Sequence, residues 1–504
     1  MPRALKVARD VSASSAVRWA LRVWGVVLVL AVCWPFLLPG EFVWRDMVLL
    51  DRPALTASAF GSGDLPARNA PQDGVLALVG GAWLARVFVL GAASAAAWSA
   101  CRWSLGRAHP SPWAAGAAMA CAVANPFVIE RLLQGQWSLV VAAWLAPVIA
   151  WGCLRGHPRT AWLALWASSL TPTGGVFGAL SAVLCEREGR RRWLFAGGSV
   201  LLWLPWAVPS LLSGSSRAAG DPASQAAAFA PRAEAYAGTV GSLLGFGGIW
   251  NAAAVPASRE AGFALVGLVV AVLAVLGTSS LERGELRPLA VLAAVGMGLA
   301  ILGGFAPGVT AFAVEHIPGA GLLRDSSKLT LLALPLAVAG IGALRHLSAA
   351  LALCACLLQA PDAPRELAVL RPHETGIDHQ LVEEIDGRLT FFADRPAMVE
   401  VPGGIALDPY SKAANKLDSG ALIVDGTMVD HPSPRYLAAA AAWAERDLVN
   451  LKELGVGAVV EDGRIVATTE AKPSPVPWGL SAAWCALPLL AALRTERRLP
   501  PTKT

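Results

Sequence analysis

Charge is what this chain has least of. Only 15% of its 504 residues are charged, against about 25% in soluble domains, which excludes an ordinary water-soluble enzyme. Tyrosine is nearly missing, three residues against twenty tryptophans, so Trp must supply the amphipathic rings at both membrane interfaces. The eight cysteines are Cys33, Cys101, Cys121, Cys153, Cys185, Cys354, Cys356 and Cys485. All fall in apolar runs or at their basic ends, which excludes a disulfide framework, and Cys354-Ala355-Cys356 lacks the C-x-x-C spacing of redox or zinc sites. No P-loop, G-x-G-x-x-G, H-E-x-x-H or G-x-S-x-G stands in a fitting context, so ATPase, dinucleotide and zinc-protease readings lose their support. Gly245-Phe246-Gly247-Gly248 reads as a turn, and His373 and His379 read as surface histidines.

The chain does have apolar residues, 55% of the total, gathered in runs of membrane-spanning length. That pattern predicts a mainly α, polytopic transmembrane bundle. The net charge of +5 is laid out unevenly. Residues 361–475 hold ten Asp and nine Glu against seven Arg and four Lys, a net of −8, which leaves +13 elsewhere. Those cations recur in short clusters between apolar runs: Arg3, Lys6, Arg9, Arg18 and Arg22; Arg102 and Arg107; Arg155 and Arg159. Further along stand Arg187, Arg190, Arg191 and Arg192; Arg283 and Arg287; Arg345; and Arg494, Arg497 and Arg498. A nucleic-acid surface needs a contiguous basic face, so the expected partners do not include nucleic acid. The clusters are topology signals, and the positive-inside rule places them in the cytoplasm.

The spans then alternate, about eleven or twelve membrane segments in a plasma membrane with both termini cytoplasmic. One stretch, Arg159 to Glu186, is too short to cross twice, has two basic flanks and is broken by Thr171-Pro172-Thr173-Gly174-Gly175. It reads as two half-helices, tolerated where protein surrounds the break. The first apolar run lacks an A-x-A-like cleavage site, with Trp34-Pro35-Phe36 in its place, and reads as an uncleaved signal-anchor. Three parts follow. Residues 1–360 form the membrane part, with outside loops 39–74 and 213–260. Residues 361–475 form a small acidic extracytoplasmic domain, and 476–504 a last span with a basic tail. In the acidic part Ala421–Val424 and Val456–Val460 read as strands, Asp425-Gly426 and Asp462-Gly463 as turns, and Ala438 to Leu454 as a helix. This predicts an α/β or α+β domain.

Polar groups at a membrane face are costly without partners or a task, and here they collect on the outside. The first loop carries Glu41, Arg45, Asp46, Asp51, Arg52, Asp64, Arg68 and Asp73. Within it Val43, Met47, Leu50 and Leu55 are spaced as in an interfacial helix, with Asp46 near the first span's exit. A second cluster is Asn125-Pro126-Phe127 followed by Glu130, Arg131, Gln134 and Gln136, read as a polar hairpin with an internal Glu130–Arg131 pair. Its density of hydrogen-bonding groups is what sugar hydroxyls need. A third is His316 with Arg324, Asp325 and Lys328. Two cations outside run against the positive-inside rule and would suit a phosphate at the interface. Solvated loop charges and local ion pairs are the bland alternative for each cluster.

Together these features resemble the GT-C superfamily of integral membrane glycosyltransferases, in particular the actinobacterial enzymes that use polyprenyl-phosphate sugars, such as arabinofuranosyl- and mannosyltransferases. The resemblance rests on the long first outside loop with an acidic residue, the N-P-F…E-R…G-Q-W segment, the broken T-P-T-G-G helices and L-R-D-S-S-K before a late span. It implies transfer of a sugar from a polyprenyl-phosphate donor to an envelope glycan or glycolipid acceptor on the outer face. It also implies that Asp46, with Asp51 in reserve, is the general base. By the same resemblance Arg324 and Lys328, with Arg45 or Arg131, hold the lipid phosphate, and Glu130, Gln134 and Gln136 contact sugar, with His316 beside them. The loop departs from the commonest pattern in having no Asp-Asp or Asp-Glu pair. A divalent cation, Mg or Mn, is therefore an option rather than a requirement. Two other functions stay open: a non-catalytic GT-C scaffold, and an envelope-lipid transporter, against which the scarcity of charge at mid-membrane and the lack of an internal repeat speak.

Overall fold

Every residue of the helix Trp137–Leu154 is buried. It carries no charged side chain on any face, which suits only an element enclosed by others. Its 18 residues span about 27 Å, close to the ~30 Å hydrocarbon core of a bilayer. The computed structural model describes residues 15–212, 220–317, 319–424 and 426–493. The cations at Arg3, Lys6, Arg9, Arg494, Arg497 and Arg498, and Asp425 of the expected turn, lie outside the described residues. Among the described residues eight helices are long and apolar enough to cross a membrane, and three shorter apolar helices accompany them. The helices Gly81–Leu105, Pro158–Ser168 and Pro172–Cys185 pack directly on the central one. The last two are the expected half-helices. Pro172 opens the second at its first turn, and the Ser168 hydroxyl donates to the Gly174 carbonyl at 2.9 Å across the break.

Basic residues close one end of the bundle. Arg107 grips Glu285 with two hydrogen bonds, 2.7 and 2.8 Å, while Trp103 donates to it at 2.6 Å and Arg155 lies 3.4 Å away. The ends of Gly81–Leu105 and Trp137–Leu154 therefore share one face with the start of Arg283–Phe305. Gln136, which opens the central helix, stands at the opposite face.

At that opposite face a hairpin, β1 (Phe42–Trp44) and β2 (Met47–Leu49), follows the first span. The modest extracytoplasmic domain lies beyond it. There β3 (Thr390–Phe392) runs parallel to β8 (Ala458–Glu461), which pairs antiparallel with β9 (Arg464–Thr468). Two further hairpins are β4 (Met398–Val401) with β5 (Gly404–Leu407), and β6 (Leu422–Val424) with β7 (Thr427–Asp430). The helix expected over 438–454 is two helices, Pro434–Ala444 and Leu448–Glu453. Arg446 takes a left-handed φ of 57° between them, and the Asp447 carboxylate caps the second by accepting from Val449 and Asn450. An apolar repeat does not register a cap that restarts the helix.

Small residues let two spans touch through their backbones. A Cβ on Gly277, in the helix Ala264–Thr278, would collide with the Gly340 carbonyl of Leu334–Ile341, and one on Gly340 with the Ala274 carbonyl. Small-residue contacts of this kind are what bring helices together in lipid. Gly277→Leu is expected to destabilise the protein by about 1–3 kcal/mol or more, read as a lower thermal midpoint in detergent. Gly298→Leu, whose Cβ would meet nothing within 4 Å, should leave that midpoint unchanged.

Candidate functional site

The segment expected as an interfacial helix is the β1–β2 hairpin, with Arg45 and Asp46 at its two-residue turn. Arg45 takes a left-handed φ of 47° there. An interfacial helix would leave one side to water, but Phe42, Val43, Trp44 and Met47 to Leu50 are all buried. Both faces are covered, a setting that β-branched and aromatic residues meet as strands. On one side the Trp44 indole donates to the Leu133 carbonyl at 2.7 Å, and the Asp46 amide to the Gln134 carbonyl at 3.2 Å. On the other, the Arg45 amide donates to Ile405 at 3.0 Å and the Leu407 amide to Arg45 at 2.9 Å, so β5 lies along the turn.

The supporting side is built by Asn125-Pro126. Asn125 caps the helix Pro126–Leu133 by accepting from the Val128 amide at 3.1 Å, and its Nδ2 donates back to Cys121 at 2.9 Å. One residue thus separates the helix Pro112–Val123 from a short second helix within one apolar segment. The helix closes at Gly135, φ 85°, where a Cβ would collide with the Trp44 carbonyl and the backbone amides of Asp46 and Met47. That contact brings both Gln134 and Gln136 to Asp46.

Asp46 Oδ2 accepts from Gln136 Nε2 at 3.0 Å and from Gln134 Nε2 at 3.3 Å. Solvent reaches its side chain, yet protein crowds around it. That burial raises its carboxyl above the ordinary value, opposed by the two amide hydrogen bonds and by the charges of Lys328 and Arg131. Arg131 pairs with both oxygens of Asp325, at 2.5 and 3.0 Å, and donates to Gln136 at 2.9 Å and Ser327 at 2.5 Å. Burial alone would raise Asp325, but Arg131 and Lys328 outweigh it and bring the carboxyl down to about 2. Lys328 stands 3.8 Å from Asp325 with its side chain 23% exposed. Arg45 donates one Nη to the Ala253 carbonyl at 2.8 Å, while its other Nη is buried without a partner among the described residues.

Glu130 and Arg131 do not pair with each other. Glu130 instead faces Arg259 at 3.3 Å and accepts from the Ile249 amide at 3.0 Å. Arg259, fully buried, also binds Glu234, which accepts from the Gly248 amide at 3.0 Å. The Gly245–Gly248 turn sits on this cluster, because a Cβ at Gly247 would strike all three charged groups. The cluster fixes the segment that delivers Asn251, whose Nδ2 donates to Gln134 Oε1 at 2.7 Å.

Other expected residues stand elsewhere. Asp51 is exposed, beyond the far end of β2, about 15 Å along the chain from Asp46. His316 is half exposed and stacked on Phe312, and among the described residues its hydrogen bond is to the Phe312 carbonyl of its own turn. Arg324 binds Asp430 of the extracytoplasmic domain at 2.7 Å and lies 4.2 Å over the Phe229 ring. Sequence reasoning missed Phe229, Glu234, Trp250, Asn251, Arg259 and Asp430. Glu234 and Arg259, charges bordering long apolar runs, were the available signal. Among the described residues no group of three or more His, Cys, Asp or Glu could hold a metal ion. The carboxylate of Asp325, linked to Asp46 through Arg131 and Gln136, is bonded on both oxygens by Arg131, so these residues fit a divalent cation poorly.

No family model matches the chain, and no curated protein does. Among solved structures it is similar to the single-particle cryo-EM structure of arabinofuranosyltransferase AftD from mycobacteria, at 18% identity and a TM-score of 0.54. At that identity the likeness is one of fold. The alignment covers 88% of this chain and 35% of AftD, so the chain spans about a third of that protein's length.

Arg259→Ala would leave the carboxylates of Glu130 and Glu234 buried without their shared cation, an expected loss of about 3–5 kcal/mol of stability. Glu188→Ala, which removes an exposed pair with Arg191, should cost at most about 1 kcal/mol. Denaturation of the two purified variants checks the difference.

Proposed function

We propose that this chain is a membrane glycosyltransferase that moves a sugar from a polyprenyl-phosphate donor to an envelope glycan or glycolipid on the outer face of the plasma membrane. The observation that carries the proposal is Asp46: a solvent-reached carboxylate on a rigid turn, oriented by two amides and flanked by cations. The fold likeness to an arabinofuranosyltransferase supports the same class of chemistry but not a particular sugar.

In this reading Asp46 is the general base. It takes the proton of an acceptor hydroxyl as that oxygen attacks the anomeric carbon. The bond from that carbon to the phosphate oxygen breaks, and the polyprenyl phosphate departs with the electron pair. That leaving group is already a stable anion, so no strong general acid is needed. Charge pairing narrows the phosphate ligands. Arg131 is matched by Asp325 and Arg324 by Asp430. Lys328 and Arg45 keep unspent capacity, and three cations (Arg45, Arg131, Lys328) face two carboxylates (Asp46, Asp325). One surplus positive charge is what a leaving phosphate requires. Gln134 and Gln136 contact sugar in this scheme only with the donors and acceptors that Asp46 leaves free, while Glu130 supports them from behind. No step is routed through a metal.

Asp46→Asn, expressed in cells that lack the protein, is expected to abolish the glycan product, since a general base contributes about 10²–10⁴ in rate. Native glycans at normal expression would favour the scaffold reading and sink this one. In a transfer assay the acid limb of the pH profile should lie above the ordinary carboxylate range, with activity falling as pH drops and Asp46 takes up a proton. Gln136→Leu removes a hydrogen bond that favours the charged carboxylate, so that limb should move to still higher pH. A limb at the ordinary carboxylate value in both proteins would contradict the assignment.

A further inference from the structure

Two lines of contact leave Asp46 and meet again on its far side. One runs through Gln134 to Asn251, at 3.3 and 2.7 Å. The other runs through Gln136 and Arg131 to Asp325. From there it passes along the chain to Arg324, whose guanidinium covers Phe229, and Phe229 meets the Trp250 ring edge-on at 4.7 Å. Trp250 and Asn251 are neighbours in sequence, so the contacts close into a ring with Asp46 on one side and Trp250 on the other. Arg45 ties the same segment to the hairpin through the Ala253 carbonyl.

Trp250 carries an unexplained group. Its indole N–H is buried and has no acceptor among the described residues; those of Trp203 and Trp206 share that state, and of the three Trp250 is the one that stands in the ring of contacts around Asp46. Buried donors are almost always paired, and an orphan points to a missing acceptor. A half-buried aromatic ring with a free N–H, beside an anchored amide and across from a carboxylate, is suited to a ring that is apolar on its face and hydroxylated at its rim. We propose that Trp250 is the platform for the acceptor sugar, with its N–H donating to a ring hydroxyl while Asn251 and Gln134 hold the neighbouring edge. The proposal rests on the glycosyltransferase reading and adds which wall takes the acceptor: the phosphate lies toward Lys328, the acceptor sugar toward Trp250.

Titration of the purified full chain with methyl α-mannopyranoside and methyl α-arabinofuranoside, followed by saturation-transfer NMR, tests it. At least one glycoside should bind. Trp250→Ala should weaken binding about tenfold, and Trp250→Phe, which keeps the ring and loses the N–H, by about threefold. Glu188→Ala, at an exposed pair outside the site, should bind the glycoside within about twofold of the native protein. Thermal midpoints identify a variant that fails to fold, in which case Trp250→Phe decides. Native-like affinity in the folded Trp250 variants, or no glycoside binding by the native protein, overturns the proposal. Intact envelope glycans with Asp46→Asn would instead remove the general base while a Trp250-dependent sugar site remained.

Discussion

The pair of Arg131 and Asp325 holds the outer face together. Their side chains are 2% and 5% exposed, so a guanidinium and a carboxylate are both out of water and each depends on the other. The pair joins the end of Pro126–Leu133 to the start of the apolar helix Ser326–Ile341, bridging 194 positions of sequence. With that junction fixed, the remaining Arg131 donors turn Gln136 toward Asp46, and Arg324 is left facing outward to Asp430. Lys328, three residues beyond Asp325, is held near the same carboxylate without being used up by it. Loss of this pair would therefore disturb the orientation of Asp46, Lys328 and the domain contact together.

The hairpin is the second constraint. Asp46 occupies a turn that is gripped from both sides, by the Gln134 carbonyl beneath and by β5 of the extracytoplasmic domain above. That domain touches the membrane part again through Asp430 with Arg324, Asp73 with Lys412, and Arg435 with Asp64. Asp430 supplies the carboxylate in the first contact, while Lys412 and Arg435 supply the cations in the other two, so charge is matched across the junction in both directions. A turn held on only one side would let the carboxylate swing, and positioning within a fraction of an ångström is what proximity effects require.

Much of this was legible in the sequence. Asn125-Pro126 announces a capped break, Pro172 a helix start, and the Arg107, Arg155 and Arg283 clusters mark helix ends that do gather at one end of the bundle. Gln134, Gln136, Arg131 and Lys328 were picked as polar groups without an evident reason to lie at a membrane face, and they converge on Asp46. What was not legible is pairing across long separations. Glu130 and Arg131 are adjacent, so a local bridge was the natural expectation, but neighbours on a helix point in different directions and each found a partner more than a hundred residues away. The hairpin was missed for a related reason: Val43, Met47 and Leu50 satisfy a helical spacing, and only the cover on both faces, supplied by distant segments, decides for strands.

The electrostatics of Asp46 also bear on the order of events in the proposed reaction. Burial raises its proton affinity, which makes it a better base, while Lys328 and Arg131 lower it. Arg131 is already balanced by Asp325, so Lys328 is the adjustable influence. A donor phosphate seated against Lys328 would offset that cation and leave burial to dominate at Asp46. The carboxylate would then bind a proton more readily once the donor is in place than before it arrives. A base that strengthens on donor binding is poorly matched to water in the empty site and better matched to an acceptor hydroxyl in the loaded one. The same cation would thus hold the leaving group and, through its partial neutralisation, set when the base is ready.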